Sequence, residues 1–484
     1  MMRASAALGA LACMLMIGGC ATKSQPQLAL GFGLPAAFGG AATTAAPVDG
    51  WWRQFGDARL SAFVDQAVST NPRVGQAIGQ FRQANAQARI ARADRLPEVN
   101  GNFTASRQRF NLAGAAPVDD LQSEGLELPS GFVFNSFQLT ADVSWELDLW
   151  GRISSQTAAA RAEYLASAEN LRAVRQSIAA EATRLYFTVA EARSQVALGE
   201  QTVESVGEVT RQLRNRADAG IASPSDRQLA DANLASAVAN LAQRRETLDR
   251  TTRQLEVLLR EYPGGTLETA SFLPKLPPLP GAGLPADLLA RRPDVAAAEL
   301  ALHAAGFRLN AAQRSFFPGL SLNANVGTTG NSIERLFGAN SLLWSIAGSI
   351  VQPIFQGGRL RAQVAAAEGV KAEAIESYAE VALNALTEVE GALAADRFLA
   401  AREQALLEAA TAAEGASRVA FNRYREGIDP FIAVLESQQQ ALDSRAAALT
   451  ARRTRLENRV ALHLALGGGF DEAPETTLAR AREN

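Results

Sequence analysis

The chain carries the same pattern of helix-forming residues twice, at a constant offset along the sequence. Trp150-Gly151-Arg152 opens one long alanine-rich stretch, and Gly357-Gly358-Arg359 opens the other. Near the far ends of these stretches, Arg216-Ala217-Asp218-Ala219-Gly220 recurs at the same offset as Arg423-Tyr424-Arg425-Glu426-Gly427. Self-similarity at a fixed spacing indicates repeated structural units. We call the separation of Gly220 and Gly427 the helix offset, and we expect a fold built from two matching halves.

The two halves differ in length ahead of the long stretches. Arg95-Leu96-Pro97 matches Phe316-Phe317-Pro318 at a larger separation, which we call the strand offset. Since the strand offset exceeds the helix offset, the first half is longer than the second between these markers. Residues 110–135 contain several glycines and prolines, which predicts an extended loop there. The extra residues of the first half are assigned to this loop.

The alanine-rich stretches predict very long helices. No proline lies between Gly151 and Pro224, nor between Pro353 and Pro430. Alanine, glutamate, arginine and leucine recur in both stretches with helical spacing. A helix of about 65 residues is on the order of 100 Å long. Such a helix needs coiled-coil-like partners, because no compact domain is that long.

Each long helix is expected to reverse direction at a glycine. Gly220 and Gly427 can adopt the left-handed conformation that ends a helix. Return helices are predicted at about 225–260 and 430–466. Two shorter helices, at about 57–95 and 292–316, are predicted to precede the first and third strands.

Alternating apolar and polar residues predict four strands, two in each half. They cover about 97–110, 136–149, 318–328 and 343–355. A half-buried sheet could explain any one of these segments. Segments of about ten alternating residues also suit a bilayer-spanning barrel, although four strands cannot close one. Three copies of the chain would supply twelve strands, which is an allowed even number.

The N-terminus predicts export. Arg3 precedes the apolar run 4–17, which is too short to span a bilayer, so residues 1–19 are interpreted as a signal peptide. The run ends in Leu15-Met16-Ile17-Gly18-Gly19-Cys20, which resembles the lipobox of bacterial lipoproteins. This resemblance implies lipidation of Cys20 and, since Ala21 follows, the bacterial outer membrane. The alternative is an unlipidated signal with a chance cysteine.

Composition argues against several classes of function. The formal charge of −3 gives no electrostatic reason to expect nucleic acid. The chain has only two histidines, and it shows no phosphate-binding glycine loop and no metal-spaced His/Cys cluster. We expect no enzymatic activity, no cofactor and no metal.

Three further motifs carry a resemblance to a known family. They are Trp51-Trp52-Arg53-Gln54-Phe55-Gly56-Asp57, Asp287 to Val295 with Ala298-Glu299, and Phe316-Phe317-Pro318 before a strand. Together they resemble the TolC-like outer-membrane factors, specifically the NodT/OprM-like lipoprotein branch that serves RND efflux pumps. The resemblance covers essentially the whole mature chain. Arg292-Pro293-Asp294 within the second motif is expected to start a helix.

The resemblance implies an α+β membrane protein. A homotrimer would form a twelve-stranded β-barrel in the outer membrane, continuous with a long α-helical barrel in the periplasm. Its implied partners are a periplasmic adaptor (membrane fusion protein), an inner-membrane RND transporter and outer-membrane lipid. The chain would then divide into a lipid-anchored segment (20–56), a first repeat (57–262), a linker (263–287), a second repeat (288–468) and a tail (469–484).

Two other functions remain open from the sequence. One is the outer-membrane component of a type I protein secretion system. The other is a structural coiled-coil envelope lipoprotein, which would share the long helices but would form no pores.

Acidic residues near the reversal points are candidates for a gate. The resemblance places Asp429 at an aperture position and Glu436 at the position of a second acid, and Asp226 lies near the equivalent place in the first half. Three copies of Asp429 around an axis would repel anions. Asp429 could instead, or in addition, cap the helix that follows Pro430.

The reversal points are also candidate contacts for the adaptor. They comprise Gly220, Ile221, Ala222, Ser223, Gly427 and Ile428. Glycine allows a partner backbone to come close, and each isoleucine presents a small apolar surface. The alternative is a plain solvent-exposed turn at either site.

Overall fold

The computed structural model describes residues 33–35, 38, 50–111, 131–270 and 272–469. All elements below belong to one unit that begins at Ala36. The α-helices of the described residues, in chain order, are α1 Ala58–Thr70, α2 Pro72–Ala93, α3 Arg152–Asp218, α4 Pro224–Leu258, α5 Pro285–Arg291, α6 Pro293–Arg314, α7 Arg359–Arg425 and α8 Phe431–Ala465. Short 3₁₀ turns lie at Trp51–Phe55 and Glu334–Phe337.

The helices confirm the two-half architecture. Helices α3 and α7 each contain 67 residues, and α4 and α8 each contain 35. Each of these pairs begins and ends at positions related by the helix offset. Helices α2 and α6 each contain 22 residues and are related by the strand offset. The alanine-rich stretches therefore form two equal helical hairpins, α3–α4 and α7–α8.

The helix expected at 57–95 is wrong as a single element, because it is two helices. Helix α1 ends at Thr70 and α2 starts at Pro72. Proline lacks the N–H that would continue α1, but it is tolerated in the first turn of a helix. The side chain of Asn71 accepts from the Arg73 N–H and caps α2.

The strands form one antiparallel sheet in the order β1-β2-β3-β4. Their bounds are β1 Glu98–Asn111, β2 Gly131–Leu147, β3 Gly319–Gly330 and β4 Leu342–Val351. The expectation of four strands per chain is confirmed. Strand β4 is shorter than the expected 343–355, since Pro353 cannot donate to a sheet ladder.

The main apolar core lies where the helices of both halves meet the N-terminal 3₁₀ turn. Trp51, Trp52 and Phe55 of that turn are buried there against α3, α4 and α8. Tyr186 of α3 donates its hydroxyl to Asp57 Oδ2 at 2.6 Å and accepts from the Ala270 N–H. The N-terminal segment and the chain between the halves are thereby tied to the long helices.

The segment 259–284 between the halves contains no helix or strand in its described residues. Arginines of the long helices hold its carbonyl groups. Arg193 donates to Leu267 O, Arg452 to Pro274 O and Arg459 to Pro277 O. Arg193 belongs to α3 and the other two arginines belong to α8, so the segment contacts both hairpins and links them. We call residues 259–284 the crossing segment.

Among the described residues, no helix combines the length and the apolar composition needed to cross a membrane. The predicted signal peptide, Cys20, residues 112–130 of the predicted loop and the tail after Gly469 lie outside the described residues.

Candidate functional site

The two hairpins reverse through turns of the same conformation. Gly220 and Gly427 have φ angles of 72° and 75°. In the first turn Ile221 N donates to Arg216 O at 2.8 Å, and in the second Ile428 N donates to Arg423 O at 2.9 Å. These bonds satisfy carbonyls left free at the helix ends. No atom lies within 4 Å of a Cβ built on Gly220 or Gly427, so each glycine is needed for its φ rather than for space.

The turns differ in how the return helix starts. In the first, Ser223 Oγ accepts from the Asp226 N–H at 3.0 Å and caps α4. In the second, Pro430 is the cap residue of α8 and makes no side-chain cap bond. The expectation that Asp429 caps this helix is therefore wrong, since its carboxylate is held by Arg423.

Asp429 and Arg423 form a bidentate ion pair. Arg423 Nε donates to Oδ2 at 2.6 Å, and Nη2 donates to Oδ1 at 3.0 Å. The hydrogen bonds from Arg423, and then its positive charge, hold the pKa of Asp429 below the ordinary value of 3.8. Asp429 is consequently a fixed negative charge at neutral pH. The pair ties the second turn to the last helical turn of α7.

A small apolar cluster joins the ends of the two hairpins. Its buried members are Val209, Leu213, Ala230, Tyr424, Phe431 and Val434. The rings of Tyr424 and Phe431 lie 5.2 Å apart between centroids. Because the members come from α3, α4, α7 and α8, the two turns are held together as one tip.

Arg216 makes the polar part of this junction. Its guanidinium carbon lies 5.6 Å from the centre of the Tyr424 ring, which is a cation–π distance. Its Nη1 also approaches Arg425 O at 3.5 Å. Burial raises the pKa of Tyr424 above 10.0, the charge of Asp226 adds to the rise, and Arg216 opposes it. We call Arg216 over Tyr424 the cross-hairpin contact.

The predicted gate residues do not form one cluster. The charge of Asp226 contributes to the raised pKa of Tyr424 on the other hairpin, whereas Asp429 is paired within its own turn. Glu436 is exposed on α8. Ile221 and Ile428 are 67% and 56% exposed, so both turns present an apolar side chain outward.

Sequence reasoning missed Arg216, Arg423 and Tyr424 as site residues. The repeat does show that Arg216 and Arg423 are equivalent, since the helix offset relates them. The different partner that each arginine takes depends on how the hairpins pack, which the repeat alone does not reveal. Within the described residues, no group of His, Cys, Asp and Glu is arranged to hold a metal ion.

A family model described as outer membrane efflux protein matches residues 63–259 and 284–468. One matched segment lies in each half, and residues 260–283 between them are unmatched. The model covers well over half of the chain.

Related proteins agree with this match. Over 440 residues the chain is 32% identical to outer membrane protein OprJ of Pseudomonas aeruginosa, covering 89% of this chain and 88% of OprJ. Over 421 residues it is 31% identical to the toluene efflux pump outer membrane protein TtgI of Pseudomonas putida, covering 86% of each. The structure of the outer-membrane channel OprN matches with a TM-score of 0.80 at 28% identity, covering 90% of this chain and 98% of OprN. The chain belongs to the outer membrane efflux protein family.

Proposed function

We propose that this chain is the outer-membrane channel of a tripartite RND-type efflux pump, through which small molecules pass passively from the periplasm to the exterior. Family membership supports this proposal, together with the placement of one four-stranded sheet at one end of two equal helical hairpins. Three copies would pool their strands into a twelve-stranded barrel and their hairpins into a periplasmic tunnel. The subunit itself would perform no chemistry.

The tip of the hairpins is the proposed gate. Dilation of the tunnel would require the hairpins to move apart, which breaks the cross-hairpin contact and exposes the apolar cluster around Tyr424 and Phe431. Asp429 would form a ring of three fixed carboxylates that favours cations over anions. Asp226 and Glu436 would add negative charge to the same narrow end.

The two turns are the proposed contact with the periplasmic adaptor. Each exposes one isoleucine, Ile221 in the first and Ile428 in the second. The first turn adds Ala222 and Ser223. The glycines Gly220 and Gly427 leave the backbone open to a partner. An inner-membrane RND transporter would complete the pump and choose the cargo, and acylation of Cys20 would anchor the chain in outer-membrane lipid.

Substitution of one turn tests the adaptor contact within a working pump. Leucine and alanine at position 427 incur the same cost of a positive φ, on the order of 1 kcal/mol, but only leucine adds bulk at the proposed contact. We expect Gly427→Leu to abolish drug resistance in a deletion strain and Gly427→Ala to keep most of it. Wild-type resistance with Gly427→Leu, at equal amounts of trimer, would remove the turn from the contact.

The same deletion strain separates the three functions. Loss of resistance to a panel of toxic compounds, with recovery of an adaptor in pull-downs from the wild type, supports the pump. Failure to export a protein substrate, with normal resistance, would favour type I secretion. Purified protein that forms no trimeric pores in lipid bilayers would favour a structural lipoprotein.

A further inference from the structure

One face of the β1–β2 pair is apolar, and this apolar face ends at a defined pair of residues. Their register is unbroken from Glu98 opposite Ser144 to Asn111 opposite Gly131, so side chains alternate between the two faces without a bulge. The apolar face includes the pairs Val99–Val143, Phe103–Leu139 and Ala105–Phe137.

The height of this face matches a bilayer. On β2 it runs from Leu147 to Phe137, about 33 Å along the strand at roughly 3.3 Å per residue. A strand tilt of roughly 40° reduces that length to about 25 Å, which is the height of the apolar band on a membrane barrel. The pair of Ala105 and Phe137 thus marks the outer edge of the band.

Two arginines occupy the next positions on the same face. Arg107 lies opposite Asn135, and Arg109 lies opposite Val133. Both are exposed, and within the described residues neither guanidinium has an ion-pair or hydrogen-bond partner. The strand offset places Thr328 and Gly330 of β3 at the equivalent positions. The basic pair is therefore a feature of the first hairpin of strands alone.

The opposite face of the β1–β2 pair, at the level of these two arginines, carries aromatic side chains. Phe110, Phe132 and Phe134 stack on one another there, with centroids 5.7 Å apart for Phe110–Phe132 and 5.3 Å for Phe110–Phe134. This contact confirms that the alternation of faces continues to the end of the strands. The arginines consequently stand on the side that continues the apolar band.

We propose that Arg107 and Arg109 bind the phosphate groups of lipids in the outer leaflet of the outer membrane, an inference that rests on the proposed function. The two side chains are about 7 Å apart along the strand, directly above the apolar band. A guanidinium binds phosphate oxygens through two parallel hydrogen bonds. A trimer would present six such groups around its circumference, in register with a lipid headgroup layer.

The test uses the purified full-length trimer in phosphatidylcholine vesicles containing either diphosphoryl lipid A or the same lipid with its phosphates removed. Retention of lipid A after extraction is measured by mass spectrometry. One basic residue near an anionic surface changes affinity roughly fivefold, so Arg107→Gln with Arg109→Gln should lower retention of the phosphorylated lipid about thirtyfold. Retention of the dephosphorylated lipid should be unchanged and equal in both proteins.

Two further variants define the site. Arg335→Gln removes one charge from the other strand hairpin and should retain the lipid as the wild type does. Arg107→Lys with Arg109→Lys keeps the charge and should retain it at an intermediate level. Equal retention by wild type and the double glutamine variant would overturn the lipid site. Planar-bilayer conductance distinguishes this result from failure of the channel itself, since the glutamine variant should conduct normally.

Discussion

The two hairpins have the same lengths and the same turn conformation, yet equivalent arginines at their tips take different partners. Arg216 stacks on a ring of the other hairpin, whereas Arg423 pairs with Asp429 in its own turn. The first half has Ala222 where the second has Asp429, and Ala217 where the second has Tyr424. The repeat therefore accounts for the shared scaffold, and a few differing side chains give the second tip its own ion pair and the ring that Arg216 contacts.

The other end of the return helices shows the same kind of divergence. Glu256 of α4 and His463 of α8 are equivalent residues by the helix offset. Although burial opposes ionisation, the N–H groups of Gly265, Thr266 and Leu267 lower the pKa of Glu256 below 4.5. His463 is fully buried and stacks on Trp51 at 5.3 Å. In the first half, the charged Glu256 anchors the crossing segment. In the second half, the neutral ring of His463 packs on the N-terminal turn.

The largest expected effect is loss of stability in acid through His463. Burial, with a smaller contribution from Arg459, lowers the pKa of His463 from 6.5 to about 4. The folded protein thus favours the neutral ring. The contribution of this ring to the free energy of unfolding is fully present above pH 6.5 and is lost as the pH drops towards about 4. The loss at the acid end is roughly 3 kcal/mol per subunit. His463→Phe should keep the stack on Trp51 and flatten the pH dependence of the thermal midpoint in this window.

The chain provides a matched control for this experiment. His303 is the only other histidine, and it lies on α6 with its Nε2 3.7 Å from Glu299. His303→Gln should leave the acid response of the wild type intact. If His463→Phe retained that response, the source of the acid sensitivity would lie elsewhere.

An intermediate effect is expected at the cross-hairpin contact. A cation–π contact of a partly buried arginine contributes about 1–2 kcal/mol, so Arg216→Ala should shift the closed–open equilibrium roughly 5- to 30-fold towards open. Tyr424→Phe keeps the ring and should behave as the wild type. Single-channel open probability in planar bilayers measures both variants.

Arg214 provides the control, because it pairs with Asp231 inside the first hairpin. Arg214→Ala removes a positive charge from the same helix without touching Tyr424. It should leave the open probability unchanged. An unchanged open probability in Arg216→Ala as well would show that the cross-hairpin contact does not hold the tip closed.

Most of the fold could be predicted because its pattern is repeated. The constant helix offset predicts the hairpins, and alternation of apolar and polar residues predicts the strands, since each periodicity reflects which face is buried. The break between α1 and α2 is the exception, although Asn71-Pro72 is a recognisable helix boundary. Helical spacing continues on both sides of that proline and conceals the boundary.

The site was less predictable for a physical reason. Sequence patterns indicate where each hairpin turns, because the backbone conformation of a glycine depends mainly on the residues next to it in the chain. Arg216 and Tyr424 come from different hairpins that are distant in the chain, so only packing brings them together. The capping role of Asp429 is a sound local expectation, but a bidentate bond to Arg423 competes with the cap and replaces it.

The measurement that most directly tests the role of the divergent second tip is single-channel conductance of Asp429→Ala in planar bilayers. Loss of the ion pair to Arg423 and of three fixed charges should raise conductance severalfold and weaken block by divalent cations. Because the pKa of Asp429 lies below 3.8, the wild type should conduct equally across the neutral pH range. Adding Ala222→Asp to this variant should not restore the closed tip. Unchanged conductance and unchanged block in Asp429→Ala would contradict the assignment of the gate to the second tip.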